Sequence, residues 1–136
     1  MDSKLPLKTA LKQGGGPPPG YRWHVWKLDV ADRDARGFLD EDQYAHMADQ
    51  VKELARQSDP THPATLSVDA IEGFHELREK GGLLGKINVR LFFYLDKSAQ
   101  VIVILGAIKK ENNGPTPTGD KIRMRHRLRM YRRRND

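Results

Sequence analysis

The clearest hydrophobic pattern in the chain lies between residues 40 and 57. Its apolar side chains recur at i, i+3, i+4, i+7, i+10 and i+11, in the order Tyr44, Met47, Ala48, Val51, Leu54 and Ala55. This spacing places them on one face of a helix. Asp40 can cap the first turn with Gln43 reaching back to it, and Pro60 follows the end. The pattern therefore predicts an amphipathic helix over residues 40–57.

Alternating or continuous apolar runs predict strands at four places. Residues 22–30 are rich in aromatic and β-branched side chains, and residues 74–79 lead through a glycine-rich turn into the run 87–96. In 87–96, Val89, Leu91, Phe93 and Leu95 alternate with Arg90, Phe92, Tyr94 and Asp96, so the two sets face opposite ways. The run 100–108 is nearly all apolar, which is typical of a strand covered on both faces.

The C-terminal segment fits two patterns. Basic and apolar residues alternate from 121 to 130 apart from His126, which favours a strand. Met124, Leu128 and Tyr131 nevertheless lie at i, i+4 and i+7, and arginine and methionine are good helix formers. We prefer the helix. The expected fold class is then α+β, with a small, mostly antiparallel sheet built from a strand, a helix, a three-strand meander and a C-terminal helix.

The beginning of the chain differs from the rest. Residues 12–20, KQGGGPPPG, consist largely of glycine and proline and cannot form a helix or a central strand. We therefore expect a flexible extension over residues 1–20 and one folded domain over residues 21–136.

Composition narrows the classes of protein that the chain can represent. Cysteine is absent, which excludes disulfides and thiolate metal sites. No apolar run approaches the ~18 residues that a membrane span requires, and no signal-peptide core is visible. The histidines have no metal-ligand spacing. We expect a cytoplasmic protein with no metal, no cofactor and no membrane partner.

The positive charge is concentrated at the C-terminal end. The formal net charge is +6, and residues 109–136 hold ten Lys and Arg against three acids, whereas residues 1–108 hold fourteen against fifteen. Seven arginines fall between residues 123 and 134. Such a segment is the electrostatic signature of a phosphate-backbone binder, although a solubilising or partner-binding tail has the same composition. The candidate nucleic-acid-binding residues are Arg123, Arg125, Arg127, Arg129, Arg132 and Arg133.

Four further cations lie on the predicted meander. Arg78 ends one strand, Arg90 lies within the next and is expected to be exposed, and Lys109 and Lys110 end the last. If these cations share one sheet face they repel each other unless an anion joins them, which suggests a phosphate site. For each residue alone the simpler interpretation is stronger: Arg78 pairs with Glu76 or Glu79, and the lysines solubilise a strand end.

The order of these motifs resembles a known family. The string EGFHELRE, a glycine-rich turn, NVRLFFYLD, VIVILGAIKKENNGPTP and a basic C-terminal segment follow one another over residues 72–131. This series is similar to the RelE/ParE toxin superfamily, and most similar to its RelE/HigB-type branch. The resemblance implies a sheet with helices packed on one side and a basic face that binds mRNA, commonly on the ribosome. It also implies a cognate antitoxin protein as partner.

The resemblance further implies a metal-independent endoribonuclease, in which the 2′-hydroxyl of the RNA attacks the adjacent phosphate. By motif position Arg78, Arg90 and Lys109 or Lys110 would bind the phosphate and stabilise the transition state. The candidates for general base and acid are Glu76, His126 and Tyr131. His126 can equally be a solvated member of a basic helix, and Tyr131 an aromatic that packs that helix against the sheet.

Other functions share these features. A ParE-like inhibitor of DNA gyrase has the same fold without nuclease activity, but such proteins generally lack the cations found here at residues 78, 90, 109 and 110. A non-catalytic nucleic-acid-binding protein would use the arginine segment alone. A degenerate relative would keep the fold without any activity.

Overall fold

The computed structural model describes residues 17–135, so most of the predicted 1–20 extension lies outside the described residues. Within that range the strands are β1 His24–Lys27, β2 Ser67–Ile71, β3 Phe74–Lys80, β4 Asn88–Asp96 and β5 Val101–Lys110. The helices are α1 Asp29–Arg36, α2 Glu41–Arg56 and α3 Thr118–Asn135, with a short 3₁₀ turn at Gly82–Leu84.

The five strands form one mixed sheet in the order β1-β5-β4-β3-β2. Strands β2 to β5 are a meander of antiparallel neighbours, whereas β1 runs parallel to β5. The expected α+β class is confirmed. The meander has four strands rather than three, because the short edge strand β2 pairs with β3 across a turn at Gly73, whose φ is +89°. Positive φ favours glycine at that position.

Helix α2 confirms the prediction from hydrophobic spacing. Asp40 and Gln43 form a capping box: the Asp40 carboxylate accepts a hydrogen bond from the Gln43 backbone amide, and the Gln43 side chain accepts one from the Asp40 amide. Met47, Val51 and Leu54 are buried along the inner face. The capping residues and the buried face therefore both agree with the helix that the sequence predicts.

The strand predicted for residues 22–30 is wrong in its second half. Only His24–Lys27 is extended, and α1 begins at Asp29. Acidic residues lie in the first turn of α1, and Arg33 and Arg36 lie in its last turn. Both sets of charges interact favourably with the helix dipole. Ala31 and Ala35, at i and i+4, are buried against the sheet. The aromatic and β-branched content of the segment obscured this short, polar helix.

Helices cover both faces of the sheet, which corrects the expectation that they pack on one side. On the first face α1 and α2 pack over a core that includes Leu77, Val89, Leu91, Phe93, Ile102 and Ile104. On the second face the predicted C-terminal helix, α3, packs Met124, Leu128 and Tyr131 over Trp26, Phe74, Phe92, Val103 and Leu105. We call these the α1/α2 face and the α3 face. The two sets of β4 side chains lie on opposite faces, as predicted.

Gly106 allows α3 to approach β5 closely. A Cβ at Gly106 would lie 2.5 Å from both the Met124 Cε and the Arg127 Nη1 atoms. Met124 is fully buried and Arg127 is held by Asp34, so neither side chain can withdraw easily. We expect Gly106→Ala to lower the free energy of unfolding by about 1–3 kcal/mol in urea denaturation.

Gly119, in the first turn of α3, provides the control for this substitution. A Cβ there would meet no atom within 4 Å. Because alanine reduces the entropy of the unfolded chain, Gly119→Ala should leave stability unchanged or raise it by up to about 1 kcal/mol. Equal stability of the Gly106→Ala variant and the wild type would contradict the packing of α3 described here.

Candidate functional site

Sheet register brings three of the predicted site residues together on the α3 face. Arg78 and Arg90 are direct cross-strand partners in β3 and β4, and Glu76 lies two residues from Arg78 on the same face. Like charges directly opposite each other in a sheet are destabilising. The carboxylate of Glu76 offsets this repulsion, since one of its oxygens accepts a hydrogen bond from Arg78 Nε at 2.7 Å. Asp69 of β2 adds a second carboxylate, 3.1 Å from the same nitrogen.

Thr116 connects this cluster to the loop between β5 and α3. Its hydroxyl donates to the other oxygen of Glu76 and accepts from Arg90 Nη1 at 3.0 Å. Arg90 Nη2 also donates to the carbonyl oxygen of Gly114. Glu76 and Arg90 therefore hold residues 111–117 over the sheet through hydrogen bonds to Thr116 and Gly114. Thr116 was not predicted as a site residue, because a threonine between two prolines is ordinarily expected in an exposed turn.

Arg90 is buried, which corrects the expectation that it is exposed. Its relative exposure is 1 %, that of Glu76 is 0 % and that of Thr116 is 4 %. The pKa of Arg90 is lowered from its ordinary value. Burial is the largest cause and the positive charge of Arg78 adds to it, whereas the carboxylates of Glu76 and Asp69 act in the opposite direction. Arg90 Nε has no hydrogen-bond partner among residues 17–135. In this arrangement Arg90 fixes the loop, and a ligand cannot reach it unless the loop moves.

The two lysines at the end of β5 lie on opposite faces. Lys109 pairs in register with Val89, whose side chain is in the α1/α2 core, so Lys109 does not share a face with Arg78. Lys110 pairs with Asn88, which in turn pairs with Lys80 of β3. Side chains alternate along a strand, so Lys80 and Lys110 lie on the α3 face next to the arginine pair. The expected convergence of four cations is therefore wrong for Lys109.

Three cations on the α3 face remain accessible, and we call them the cationic edge: Arg78, Lys80 and Lys110. The Arg78 side chain is 34 % exposed, Lys80 is exposed and Lys110 is half-buried. Lys80 and Lys110 are separated by one intervening strand, which corresponds to roughly 10 Å. Sequence reasoning missed Lys80, which simply follows the ELRE motif. Within the described residues no group of three histidines or acids is placed to hold a metal ion.

Tyr131 lies at the other end of the α3 face. Its hydroxyl donates to Asp96 at 2.7 Å, and its ring packs against Trp26 and Tyr94. Asp96 is six residues along β4 from Arg90, a distance of roughly 20 Å. The structure thus places Tyr131 in the packing of α3 rather than with Glu76.

We expect Tyr131→Phe to lower stability. The lost hydrogen bond to a carboxylate should lower the free energy of unfolding by about 1.5–3 kcal/mol. If the chain cleaves RNA, as the order of its motifs implies, the single-turnover rate at saturating protein should match that of the wild type, because the hydroxyl is remote from the cationic edge. A rate loss with normal stability would then make Tyr131 a catalytic residue.

The candidate RNA-binding arginines divide into inward and outward sets. Arg127 is turned inward: its guanidinium binds Asp34 at 2.7 Å and the carbonyl oxygen of Leu105 at 2.9 Å, which ties α3 to α1 and β5. Arg123 pairs with Asp120 within the helix. The remaining four form an outward surface that we call the α3 stripe: Arg125, Arg129, Arg132 and Arg133.

Arg125, Arg129 and Arg133 of the α3 stripe are spaced at i, i+4 and i+8, and Arg132 lies next to them. Like charges at i, i+4 destabilise a helix, so the stripe is costly without an anionic partner. Glu72 offsets one charge by binding Arg125 at 2.6 Å, and Arg132 lies over the ring of Tyr94. His126 is exposed and two residues from the buried Met124, which directs it away from the sheet. It therefore adjoins the stripe and is separate from Glu76.

No protein-family model matches this chain, and no curated protein matches it significantly. Among residues 17–135, none of the helices has the length and apolar character needed to span a bilayer.

Proposed function

We propose that this chain is an mRNA-cleaving toxin of the RelE/HigB type, whose activity a cognate antitoxin suppresses. The observation that carries the proposal is the cationic edge, which gathers Arg78, Lys80 and Lys110 on one sheet face beside the carboxylate of Glu76. The cations can bind a phosphodiester and stabilise its developing charge, and a carboxylate beside them can remove a proton from a neighbouring hydroxyl. The order of motifs over residues 72–131 supports the same assignment.

The proposed reaction is an internal transesterification of RNA. The 2′-oxygen forms a bond to the adjacent phosphorus while the bond to the 5′-oxygen breaks, which leaves a 2′,3′-cyclic phosphate and a free 5′-hydroxyl. A base takes the 2′-hydroxyl proton and an acid supplies one to the leaving oxygen. Arg78 and Lys110 would stabilise the charge that develops on the phosphate. Glu76 is the proposed base.

Glu76 and Arg90 can take part only after residues 111–117 leave the sheet. Both oxygens of Glu76 accept hydrogen bonds, from Arg78 and Thr116, and two nitrogens of Arg90 are bound to the loop. RNA that binds the cationic edge would compete for Arg78 and loosen this arrangement. We therefore assign the first contact with RNA to the accessible cations and assign Glu76 and Arg90 to a later, opened state.

The neighbouring lysines of β5 provide a matched test. Lys110→Ala and Lys109→Ala remove the same charge from adjacent residues on opposite faces of one strand. With a 5′-labelled single-stranded RNA and purified protein, we expect Lys110→Ala to weaken binding and flatten its log–log salt slope by roughly 0.7. Lys109→Ala should leave the salt slope close to that of the wild type.

Product chemistry completes this test. The wild type should release fragments that end in a 2′,3′-cyclic phosphate, in buffer containing a metal chelator. Equal effects of the two lysine substitutions, or cleavage that requires an added metal, would contradict the proposed site.

A second candidate function is nucleic-acid binding without chemistry, and the α3 stripe favours it. Arg129 and Arg133 are exposed on the helix and have no ion-pair partner within the described residues. Steep salt dependence together with intact RNA would support this alternative. Substituting Arg129 and Arg133 by alanine should then abolish binding, whereas Lys110→Ala should have little effect.

The cognate antitoxin is expected to be an acidic or acid-patched protein that covers the cationic edge or displaces residues 111–117. Opposite charges on the two partners would accelerate their association and make it sensitive to salt.

A further inference from the structure

A cavity of about 280 Å³ lies on the α1/α2 face, away from the cationic edge. Its walls come from both helices and from three strands, and its inner surface is almost entirely apolar, with Val51, Val89, Leu91 and Ile104 among its lining residues. An apolar pocket with a few polar groups at its mouth is the usual form of a small-molecule binding site. The nuclease proposed above makes no use of this space.

Small side chains leave the cavity unfilled. Ala31 and Ala35 of α1, Ala48 of α2 and Ala107 of β5 line it where larger residues would close the gap between the helices and the sheet. Protein interiors are otherwise packed close to crystal density, so unfilled space of this size costs stability. A bound apolar group would recover the missing contacts.

The rim of the cavity is polar and carries more positive than negative charge. Lys27 Nζ lies 2.6 Å from the Tyr44 hydroxyl and 2.9 Å from Asp32, and Arg36 binds the same carboxylate at 2.9 Å. Burial raises the pKa of Asp32, but hydrogen bonds from Tyr44, Lys27 and Arg36 outweigh it and lower this pKa to about 2. Lys52 also lines the cavity; its side chain is 59 % exposed, and its Nζ lies 4.0 Å from the carboxylate of Asp49, which is itself 75 % exposed.

We propose that this cavity binds a single-chain amphiphile with an anionic head group, such as a medium-chain fatty acid. The alkyl chain would occupy the apolar interior, and the carboxylate would lie at the rim near Lys52 and Lys27. Asp32 does not repel it strongly, because its charge is already compensated by two cations and a hydroxyl. The volume lies near the lower end of the ~300–1,000 Å³ range of ligand pockets, so one chain fits and a two-chain lipid does not.

Decanoate is the probe that tests the proposal. Titrated below its micellar concentration into the isotopically labelled full chain, it should give saturable NMR shifts concentrated at Ala48, Val51 and Ile104. Ala48→Leu fills the cavity from α2 and should weaken binding by about tenfold or more. Ala45→Leu adds the same volume at an exposed position three residues away and should leave the affinity unchanged.

The head group is tested by a second comparison. Lys52→Gln should reduce the affinity for decanoate by several-fold and leave that for decan-1-ol unaltered, so the result does not depend on whether Ala48→Leu folds. Non-saturable shifts spread over the whole surface, or equal effects of the two leucine substitutions, would overturn the site. Equal loss of both ligands in Lys52→Gln would overturn the anionic head group. None of these results depends on RNA cleavage.

Discussion

Replacing Arg90 by alanine is expected to lower the free energy of unfolding by about 3–5 kcal/mol, because it removes two hydrogen bonds of a buried charged group, each worth about 1.5–3 kcal/mol. Arg90 is 1 % exposed, and its loss would leave the Gly114 carbonyl without its donor and the Thr116 hydroxyl bonded to Glu76 alone. Urea denaturation followed by the fluorescence of the buried Trp26 measures this change.

Arg33→Ala removes the same side chain from an exposed position on α1 and should alter stability by no more than about 0.5 kcal/mol. A similarly small effect of Arg90→Ala would mean that residues 111–117 are not fastened to the sheet as described. The expected instability also means that lost activity in an Arg90 variant says little about chemistry. If Arg90 were exposed, as the sequence suggested, its replacement by alanine would change the free energy of unfolding very little.

If the chain is the ribonuclease proposed above, replacing Arg78 by alanine is expected to reduce RNA cleavage by about 10²–10³-fold, the range measured for removal of a single transition-state donor elsewhere. Arg78 is the accessible arginine of the cluster, with a side chain that is 34 % exposed and shared between Glu76 and Asp69. The measurement is the single-turnover rate at saturating protein, which separates the chemical step from binding.

A smaller stability loss should accompany this substitution, about 1–3 kcal/mol, because Glu76 would keep only its bond to Thr116. Arg78→Lys retains the charge and should restore much of the stability, but less of the rate, since a lysine lacks the planar fork of donors. Cleavage at the wild-type rate in Arg78→Ala would remove the cationic edge from the proposed mechanism.

Hydrophobic spacing was sufficient to predict α2, the central strands and the two faces of β4. These elements are long, and their local patterns agree with their tertiary burial. Short elements were harder: α1 has eight residues and β2 has five, and each is defined mainly by what it packs against or pairs with. The choice of a helix for α3 depended on Met124, Leu128 and Tyr131, which are the residues that contact the sheet.

The candidate site was only partly predictable. Period-two alternation correctly placed Arg90 on the face opposite Val89, but it carries no information about what covers that face. The cover is residues 111–117, held through Thr116, and this contact joins positions forty residues apart in sequence. The same alternation could have separated Lys109 from Lys110, because adjacent residues of a strand point to opposite faces.

Mapping mRNA 5′ ends after induction of the chain from a tightly repressed promoter tests the central claim most directly. The proposed function predicts growth arrest with new 5′ ends inside translated frames, for the wild type and for Lys109→Ala, and their loss in Arg78→Ala variants of confirmed stability. Growth arrest with intact mRNA, or the same new ends in Arg78→Ala cells, would contradict it.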